Sequence, residues 1–344
     1  MTTDWNQRVI EGLVQAVVDE LGLPGLAVGI VRDDATLYTA AQGVTNLESK
    51  HPVSTRTLFR LGSITKVFTA TLLMTFVEAG QVNLDDAVGE YLPQFKAFDP
   101  EGKITFQHLA THTSGLPMMP PTVTFPEGIE GIQEVTFPSI DDLLDALDQT
   151  ELLFAPGSDF TYSNYGVGIL GHTLAIIGQK PYRELVAERV LQPIDMTDTV
   201  FDPHPSQLDA ATGYILFVNP PVIMPMVDIG GFTPAGQLFS NIEDMLKFAR
   251  AQWGQSALGL SQQRLTEMQT TRWEKQQPMG IGWKTLEIGD SQCVYHGGAD
   301  PGYVSYLIAE PKQRLGVILM TNAAPSPERI ESLGNDIMLE LLTT

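Results

Sequence analysis

The segment that decides the fold is LFRLGSITKVFTATLLMTFVEAG, residues 58–80. From Val67 to Val77, apolar residues fall on every face of the predicted helix, so we expect protein to surround it. Two polar residues, Ser63 and Lys66, stand three positions apart at its start. A lysine gains no packing advantage at such a position, and its presence therefore needs a chemical explanation.

Burial at a helix N-terminus changes the chemistry of Lys66. Desolvation and the positive end of the helix dipole both penalise the ammonium form. Residues three apart share a helix face, so the neutral amine is expected to reach the Ser63 hydroxyl and act as a general base. Backbone N–H groups at the same helix end are available to an oxyanion. S-x-x-K occurs only here in the chain, and a chance match with a lysine that extends to solvent is the alternative.

A second polar group precedes another apolar helix, in FTYSNYGVGILG, residues 160–171. Tyr162, Ser163 and Asn164 form the only Y-x-N in the chain. A phenol near the serine and lysine can relay a proton to a leaving group, and an amide can orient the lysine or hold a substrate carbonyl. The structural alternative is a tyrosine packed at a helix start with an asparagine cap.

A third group lies late in the chain, in CVYHGGADPGYVSYLIAEP, residues 293–311. His296 is expected on a strand, and Gly297 and Gly298 would let a ligand backbone lie against the strand edge. The N–H of Ala299 would then be free to serve as a second oxyanion donor. A glycine bulge beside a surface histidine is the structural alternative.

The order and spacing of these three groups resemble the motifs of the serine β-lactamase and penicillin-binding protein superfamily. The resemblance is closest to the branch that contains class C β-lactamases, D,D-carboxypeptidases, D-aminopeptidases and related carboxylesterases. It covers about residues 8–340 and includes the stretches ITFQHLATHTSGLP, FAPGSDFTYSN and TPAGQLFSNIEDMLKFA.

The resemblance implies a role for each motif residue. Ser63 would be the nucleophile, Lys66 its base and Tyr162 the proton shuttle, with an acyl-enzyme on Ser63 that water hydrolyses. Asn164 would orient Lys66 and the substrate, and His296 would line the strand side of the site together with the two glycines after it. The oxyanion hole would be formed by the N–H groups of Ser63 and Ala299.

The third motif departs from the usual pattern of the superfamily. Lys-Thr-Gly or His-Thr-Gly is common there, and its cation and hydroxyl hold a substrate carboxylate. His296-Gly297-Gly298 lacks the hydroxyl and offers only a weaker, pH-dependent cation. We therefore expect a serine hydrolase that cleaves carboxylic esters or amides of small substrates of the D-amino-acid type. A β-lactamase or D,D-carboxypeptidase is the alternative, and a non-catalytic penicillin-binding or sensor module is the alternative of another class.

The element pattern predicts an α/β protein of the α+β type with the β-lactamase/transpeptidase-like fold. Strands near both chain ends would form one antiparallel sheet flanked by helices, with a helical lobe inserted between them. The expected single catalytic domain has a sheet lobe at about residues 1–62 and 270–344, and a helical lobe at about 63–269. Two proline-rich segments, residues 114–138 and 214–226, would be irregular loops that wall a substrate pocket or form a dimer contact.

Composition limits the partners. The 344-residue chain is 43% apolar and 18% charged, as folded globular proteins are. Its net charge of −21 disfavours nucleic acid and anionic membranes, so a small-molecule ester, amide or peptide is the expected partner. The N-terminal residues do not resemble a signal peptide, and no apolar stretch reaches the roughly 20 residues that span a bilayer, which favours a cytoplasmic location.

No cofactor and no metal are predicted. His108 and His112 have the spacing of zinc ligands on a helix, but the glutamate of H-E-x-x-H is replaced by Leu109, which favours a structural pair. Cys293 is the single cysteine, which excludes an internal disulfide and a cysteine-based zinc cluster. It is expected to be a small apolar residue on a strand. The oligomeric state is left open.

Overall fold

The structure is a computed structural model that describes residues 6–124, 136–203, 209–253, 258–324 and 326–343. Residues 125–135 of the first predicted loop lie outside the described residues. No helix in the described ranges is long and apolar enough to cross a membrane.

The strands within those ranges are β1 (Gly25–Arg32), β2 (Ala35–Gly43), β3 (Phe59–Arg60), β4 (Gly213–Ile215), β5 (Val222–Met224), β6 (Phe239–Ser240), β7 (Lys284–Ile288), β8 (Ser291–Asp300), β9 (Tyr303–Glu310) and β10 (Leu315–Thr321). Six of them form an antiparallel sheet in the order β2-β1-β10-β9-β8-β7. The first and last strands of the chain meet at its centre, where Val28 pairs with Leu319. The predicted sheet built from both chain ends is therefore confirmed.

The α-helices are α1 (Gln7–Leu21), α2 (Thr65–Glu78), α3 (Pro93–Phe98), α4 (Phe106–Ala110), α5 (Ile140–Asp145), α6 (Asn164–Gly178), α7 (Tyr182–Val186), α8 (Thr233–Gly236), α9 (Ile242–Arg250), α10 (Gln262–Gln269) and α11 (Pro327–Thr343). Several end in short 3₁₀ or π segments, so the helical stretches at 140–149 and 182–191 are each divided.

Helices cover the sheet on both faces, which explains why β9 and β10 are buried along their whole length. The terminal helices α1 and α11 pack on one face, where alternate residues of β1, such as Val28 and Ile30, join their core. Residues of the other face, such as Ala27 and Val31, pack with α2 and the helical region. Helix α9 lies on this face, where a Cβ on Gly29 would meet Ile242 and Leu246, and the ring of Phe68 in α2 stacks on that of Phe248 in α9.

The proline-rich segment 214–226 differs from the prediction of an irregular loop. Its ends form the two-stranded hairpin β4–β5, in which Tyr214 pairs with Ile223. The hairpin brings Met224 and Pro225 to the wall of a cavity beside Ser63. Cys293 is buried on β8, as predicted.

Candidate active site

Ser63 lies in a one-turn 3₁₀ segment, Gly62–Ile64, between β3 and α2. Gly62 has a φ of +51°, a conformation that glycine adopts without strain. The preceding residue ties this turn to the rest of the protein, since Leu61 N donates to Leu238 O at 2.8 Å and Ser305 Oγ donates to Leu61 O at 2.7 Å. The nucleophile turn is therefore held against strand β9.

The two glycines of the third motif make room for protein, where a ligand backbone was expected. A Cβ on Gly298 would lie 2.0 Å from Leu61 O and 2.4 Å from Ser305 Oγ. Gly297 faces the opposite side of β8, where a Cβ would meet Glu331 Oε1 at 2.3 Å. Gly298 thus allows the turn that carries Ser63 to press against the strand.

Lys66 is 2% exposed and its amine lies between two oxygens. Nζ is 3.0 Å from Ser63 Oγ and donates to Ala235 O at 2.7 Å. Burial lowers the pKa of Lys66 to about 7; the nearby Asp300 carboxylate opposes this effect and the Lys284 ammonium adds to it. A large fraction of the amine is therefore neutral at neutral pH. Ala235 could not be found from the sequence, because a backbone carbonyl has no residue signature.

Tyr162 completes the group around Ser63. Lys66 Nζ lies 4.8 Å from the centroid of its ring. Burial raises the pKa of Tyr162 well above its usual range, so the side chain is a neutral phenol at neutral pH. Ser163, the middle residue of Y-x-N, caps α6 by accepting from Gly166 N at 2.8 Å. This cap fixes where α6 begins, directly after Tyr162 and Ser163.

His112 supports Tyr162 in a way that the sequence did not predict. Its Nδ1 accepts from Ser163 N at 3.1 Å, and its ring centroid is 4.4 Å from that of Tyr162. Burial, with the Lys66 and Lys284 charges adding to it, lowers the pKa of His112 to about 3, so the ring is neutral.

His108 has a different task, because its Nδ1 accepts from Thr105 N at 3.2 Å in the cap of α4. The described parts of the chain hold no group of three side chains that could bind a metal. His108 and His112 therefore each bind backbone in the structure, in line with the structural interpretation of their spacing.

Asn164 lies at the start of α6 and lines the cavity beside Ser63. Its Nδ2 is 3.7 Å from Met119 Sδ. Asn164 was expected to orient Lys66, but the lysine amine instead donates to Ala235 O. Asn164 is thus placed to meet a substrate, while the lysine is oriented by the backbone of α8.

His296 differs most from its sequence expectation. The ring is fully buried and is absent from the described lining of the cavity. Nδ1 lies 2.7 Å from Gly297 O, and because a carbonyl only accepts, Nδ1 carries the proton. Burial, with the Lys284 and Lys66 charges adding to it, holds the pKa of His296 well below its usual range. The ring is therefore neutral, and the expected pH-dependent cation is corrected to a neutral core residue.

A cavity of about 360 Å³ opens beside Ser63. Ala299 is exposed at its wall, and its backbone N would be 3.2 Å from a Cβ on Gly62. The N–H groups of Ser63 and Ala299 therefore come from adjoining backbone segments. The described lining residues are Arg60, Ser63, Met119, Phe137, Asn164, Met224, Pro225, Val227, Ile229, Phe232, Ala235, Gly236, Ala299, Asp300 and Pro301. Both proline-rich segments thus contribute to the wall.

An ion pair in this cavity was also missed. Arg60 Nε lies 3.4 Å from Asp300 Oδ2, and the guanidinium donates to Gly236 O, Val227 O and Gln237 Oε1, each at 3.3 Å. Two signals in the sequence pointed to it. One is the single arginine in the apolar run LFRLG, and the other is the aspartate that directly follows HGGA.

Lys284 places a second amine near Tyr162. It pairs with Tyr295 across β7 and β8, and its Nζ lies 5.8 Å from the ring centroid of Tyr162 and 5.7 Å from that of Tyr295. Burial lowers the pKa of Lys284, and Glu331 opposes this effect. This lysine affects the charges of the site although it lies outside all three motifs.

Known proteins resemble the chain over almost its full length. The Beta-lactamase family model matches residues 10–337. Protein flp of Staphylococcus aureus strain MW2 is 25% identical over 346 residues, which cover 98% of this chain and 67% of that protein. A Beta-lactamase of Escherichia coli strain K12 is 26% identical over 370 residues, covering 94% of this chain and 91% of that one.

A solved structure also resembles the chain over almost its full length. The octameric penicillin-binding protein homologue from Pyrococcus abyssi superposes with a TM-score of 0.86 at 26% identity, covering 98% of this chain and 77% of that chain. The β-lactamase/transpeptidase-like fold expected from the three motifs is thereby confirmed.

Proposed function

The chain belongs to the beta-lactamase family, and we propose that it is a serine hydrolase that forms an acyl-enzyme on Ser63 and releases the acyl group to water. The observation that carries the proposal is the contact of 3.0 Å between Ser63 Oγ and a lysine amine that is 2% exposed. Its pKa of about 7 leaves a base ready to take the serine proton.

Acylation begins when the Ser63 hydroxyl passes its proton to the neutral amine of Lys66. Oγ attacks the substrate carbonyl carbon, and the carbonyl oxygen becomes an oxyanion that would accept hydrogen bonds from the N–H groups of Ser63 and Ala299. As the tetrahedral intermediate collapses, the Tyr162 phenol gives its proton to the leaving oxygen or nitrogen. The Lys66 ammonium then returns a proton to Tyr162, so the resting charges are restored.

Deacylation repeats the same bond changes with water as the nucleophile. Water attacks the acyl carbon, the bond from carbon to Ser63 Oγ breaks, and Oγ leaves with one of the water protons. The carboxylic acid is released and the serine hydroxyl is regenerated. Tyr162, whose ring centroid lies 4.8 Å from Lys66 Nζ, would carry a proton beside the acyl oxygen during this step.

The substrates that we infer are carboxylic esters or amides of small molecules, of the D-amino-acid type. The neutral, buried ring of His296 and the missing hydroxyl at Gly297 leave the third motif without groups that hold a carboxylate. The described wall of the cavity is mostly apolar and contains Met224, Ile229 and Phe232. A compact acyl group with an apolar part therefore fits better than an anionic one.

A β-lactamase or D,D-carboxypeptidase activity that uses the same residues is the second candidate. The similarity to a Beta-lactamase of Escherichia coli over 94% of the chain favours it. It predicts that nitrocefin is turned over faster than uncharged esters. A non-catalytic penicillin-binding module would instead bind without turnover, although its retention of a buried lysine beside a serine would then have no chemical purpose.

The deciding experiment compares p-nitrophenyl butyrate, D-alanyl-p-nitroanilide and nitrocefin as substrates of the wild type and Ser63→Ala. We expect turnover of the first two, lost in the variant, and an acyl adduct on Ser63 by mass spectrometry. Fastest turnover of nitrocefin would favour the second candidate. Absence of both turnover and adduct would exclude an enzyme. Ser49→Ala, a serine in an exposed turn, is the matched control and should behave as wild type.

A further inference from the structure

The cavity beside Ser63 has an uneven charge. Of the described residues that line it, only Arg60 and Asp300 have acidic or basic side chains. They form an ion pair at 3.4 Å, but they do not face the cavity equally. The Arg60 side chain is 5% exposed, whereas that of Asp300 is 23% exposed. The charge that a ligand would meet is therefore that of the carboxylate.

The Arg60 guanidinium is hydrogen-bonded to oxygens other than those of Asp300. Its three nitrogens donate to Gly236 O, Val227 O and Gln237 Oε1, all at 3.3 Å. These acceptors hold the guanidinium below the cavity wall. An arginine held in this way balances the charge of Asp300 without covering it.

The carboxylate of Asp300 has spare capacity for a donor. Its Oδ2 is buried and makes no hydrogen bond with any part of the chain that the structure describes. The pKa of Asp300 is raised by burial, while the Arg60 and Lys66 charges oppose this effect. A cationic group that a substrate brings to the exposed part of this side chain would add a second positive partner beside Arg60 and favour the ionised form of Asp300.

Asp300 is also close to the nucleophile. Its Oδ2 lies 2.7 Å from the position of a Cβ on Gly62, the residue before Ser63. Asp300 follows directly after Ala299, whose N–H is the second expected oxyanion donor. A group that contacts Asp300 therefore lies near the carbonyl that Ser63 attacks.

Resting on the proposed function, we propose that Asp300 determines specificity by binding an ammonium group that the substrate carries near its scissile carbonyl. The substrate class is then an ester or amide of an amino acid with a free amine. Acyl groups without the amine are poorer substrates, and those with a carboxylate at that place are excluded by charge repulsion.

The test uses two anilides that differ by one amine, D-alanyl-p-nitroanilide and propionyl-p-nitroanilide. We expect the wild type to prefer the first in kcat/KM, and Asp300→Asn to reduce that preference by about tenfold to a hundredfold, since hydrogen bonds to charged groups have this strength. Asp290→Asn removes a similar charge from an exposed turn and should keep the wild-type preference. An unchanged preference in Asp300→Asn would overturn the proposal.

Two further measurements separate the possible failures. Turnover of p-nitrophenyl butyrate by Asp300→Asn is the reference for each anilide rate, because this ester lacks an amine. A fall in ester turnover as large as the fall for D-alanyl-p-nitroanilide would contradict the proposal. Binding of both anilides to Ser63→Ala and to Ser63→Ala/Asp300→Asn, by calorimetry, tests Asp300 even when no substrate is turned over. Tighter binding of D-alanyl-p-nitroanilide than of propionyl-p-nitroanilide to Ser63→Ala, with the difference lost in the double variant, supports the proposal. Equal binding of the two anilides to Ser63→Ala contradicts it.

Discussion

Lys66 Nζ lies closer to Ala235 O, at 2.7 Å, than to Ser63 Oγ, at 3.0 Å. In a neutral amine, one N–H directed at the Ala235 carbonyl leaves the nitrogen lone pair free for the serine proton. The carbonyl belongs to α8, which makes no covalent bond to the substrate. The amine therefore keeps its position when Ser63 is acylated.

Replacement of Lys66 by arginine tests this arrangement. A guanidinium does not lose its proton in a protein, so Lys66→Arg should lower the rate of acylation by about a hundredfold to ten-thousandfold. The measurement is the burst of p-nitrophenol in rapid mixing with p-nitrophenyl butyrate. Lys275→Arg, at an exposed lysine, serves as the control. Acylation within threefold of wild type in Lys66→Arg would mean that another group is the base.

The pH dependence of kcat/KM should report the amine of Lys66. Its pKa is about 7, and only the neutral form accepts the serine proton, so activity should rise with pH through about 7. The Lys284 charge lowers this pKa and the Asp300 charge raises it. Lys284→Met should therefore move the acid limb to higher pH, and Asp300→Asn should move it to lower pH.

Lys275 offers a matched control for this measurement. Its Nζ lies 5.8 Å from the ring centroid of Trp273, the same separation that Lys284 has from the ring of Tyr162. Lys275→Met should leave the acid limb in place, since no described contact links it to the site. Equal shifts in Lys275→Met and Lys284→Met would show that total charge, and not position, controls the profile.

Gly298→Ala should damage both stability and activity. The new methyl would lie 2.0 Å from Leu61 O, so the nucleophile turn must move away from β8. We expect a loss of about 1–3 kcal/mol in the free energy of unfolding, measured in urea, and a fall in kcat. Gly12→Ala is the counterpart in α1, where a Cβ meets nothing within 4 Å and the helix should gain slightly. A Gly298→Ala protein as active as wild type would refute the proposed role of Gly298.

Neutral buried histidines should make the protein sensitive to acid. The pKa of His112 is about 3 in the folded state, below its ordinary value of 6.5, so the folded state binds fewer protons than the unfolded one. Stability is therefore lost as pH falls from about 6.5 toward 3, by at most about 1.4 kcal/mol per pH unit for this residue.

His112→Asn should reduce that slope, because asparagine tolerates the φ of +59° at this position and does not titrate. Unfolding in urea between pH 4 and 6.5 measures the slope for each variant. His51→Asn is the control at a side chain that is 62% exposed. If His112→Asn keeps the slope of wild type, other groups account for the loss of stability in acid.

Local patterns in the sequence predicted the parts of the structure that depend on local rules. The element pattern predicted one antiparallel sheet from strands near both chain ends, and the three-residue spacing of Ser63 and Lys66 predicted their contact, because helix geometry fixes it. The hairpin β4–β5 was missed, since the two prolines between its strands disfavour a strand. Its strands depend on contacts with distant parts of the chain.

Long-range packing explains the rest of the differences at the site. Whether His296 is a surface cation or a neutral core residue depends on what covers β8, which no local pattern contains. The same holds for Ala235 O, whose backbone group any residue could supply. Lys284 reaches Tyr162 only because β7 pairs with β8. Residues far apart in sequence thus set the charges of a site whose nucleophile and base are neighbours.

The sheet topology also decides when an active molecule can appear during synthesis. Strand β1 is made early, but its partner β10 comes late, with Gly25 and Thr321 linked across 296 positions. Until then one edge of an apolar strand stays open, as a template for wrong pairing between nascent chains. Ser63 is translated long before the strand that supplies Ala299. A ribosome that stalls before residue 299 therefore carries Ser63 and Lys66 without the backbone segment of Ala299 that adjoins them in the folded protein.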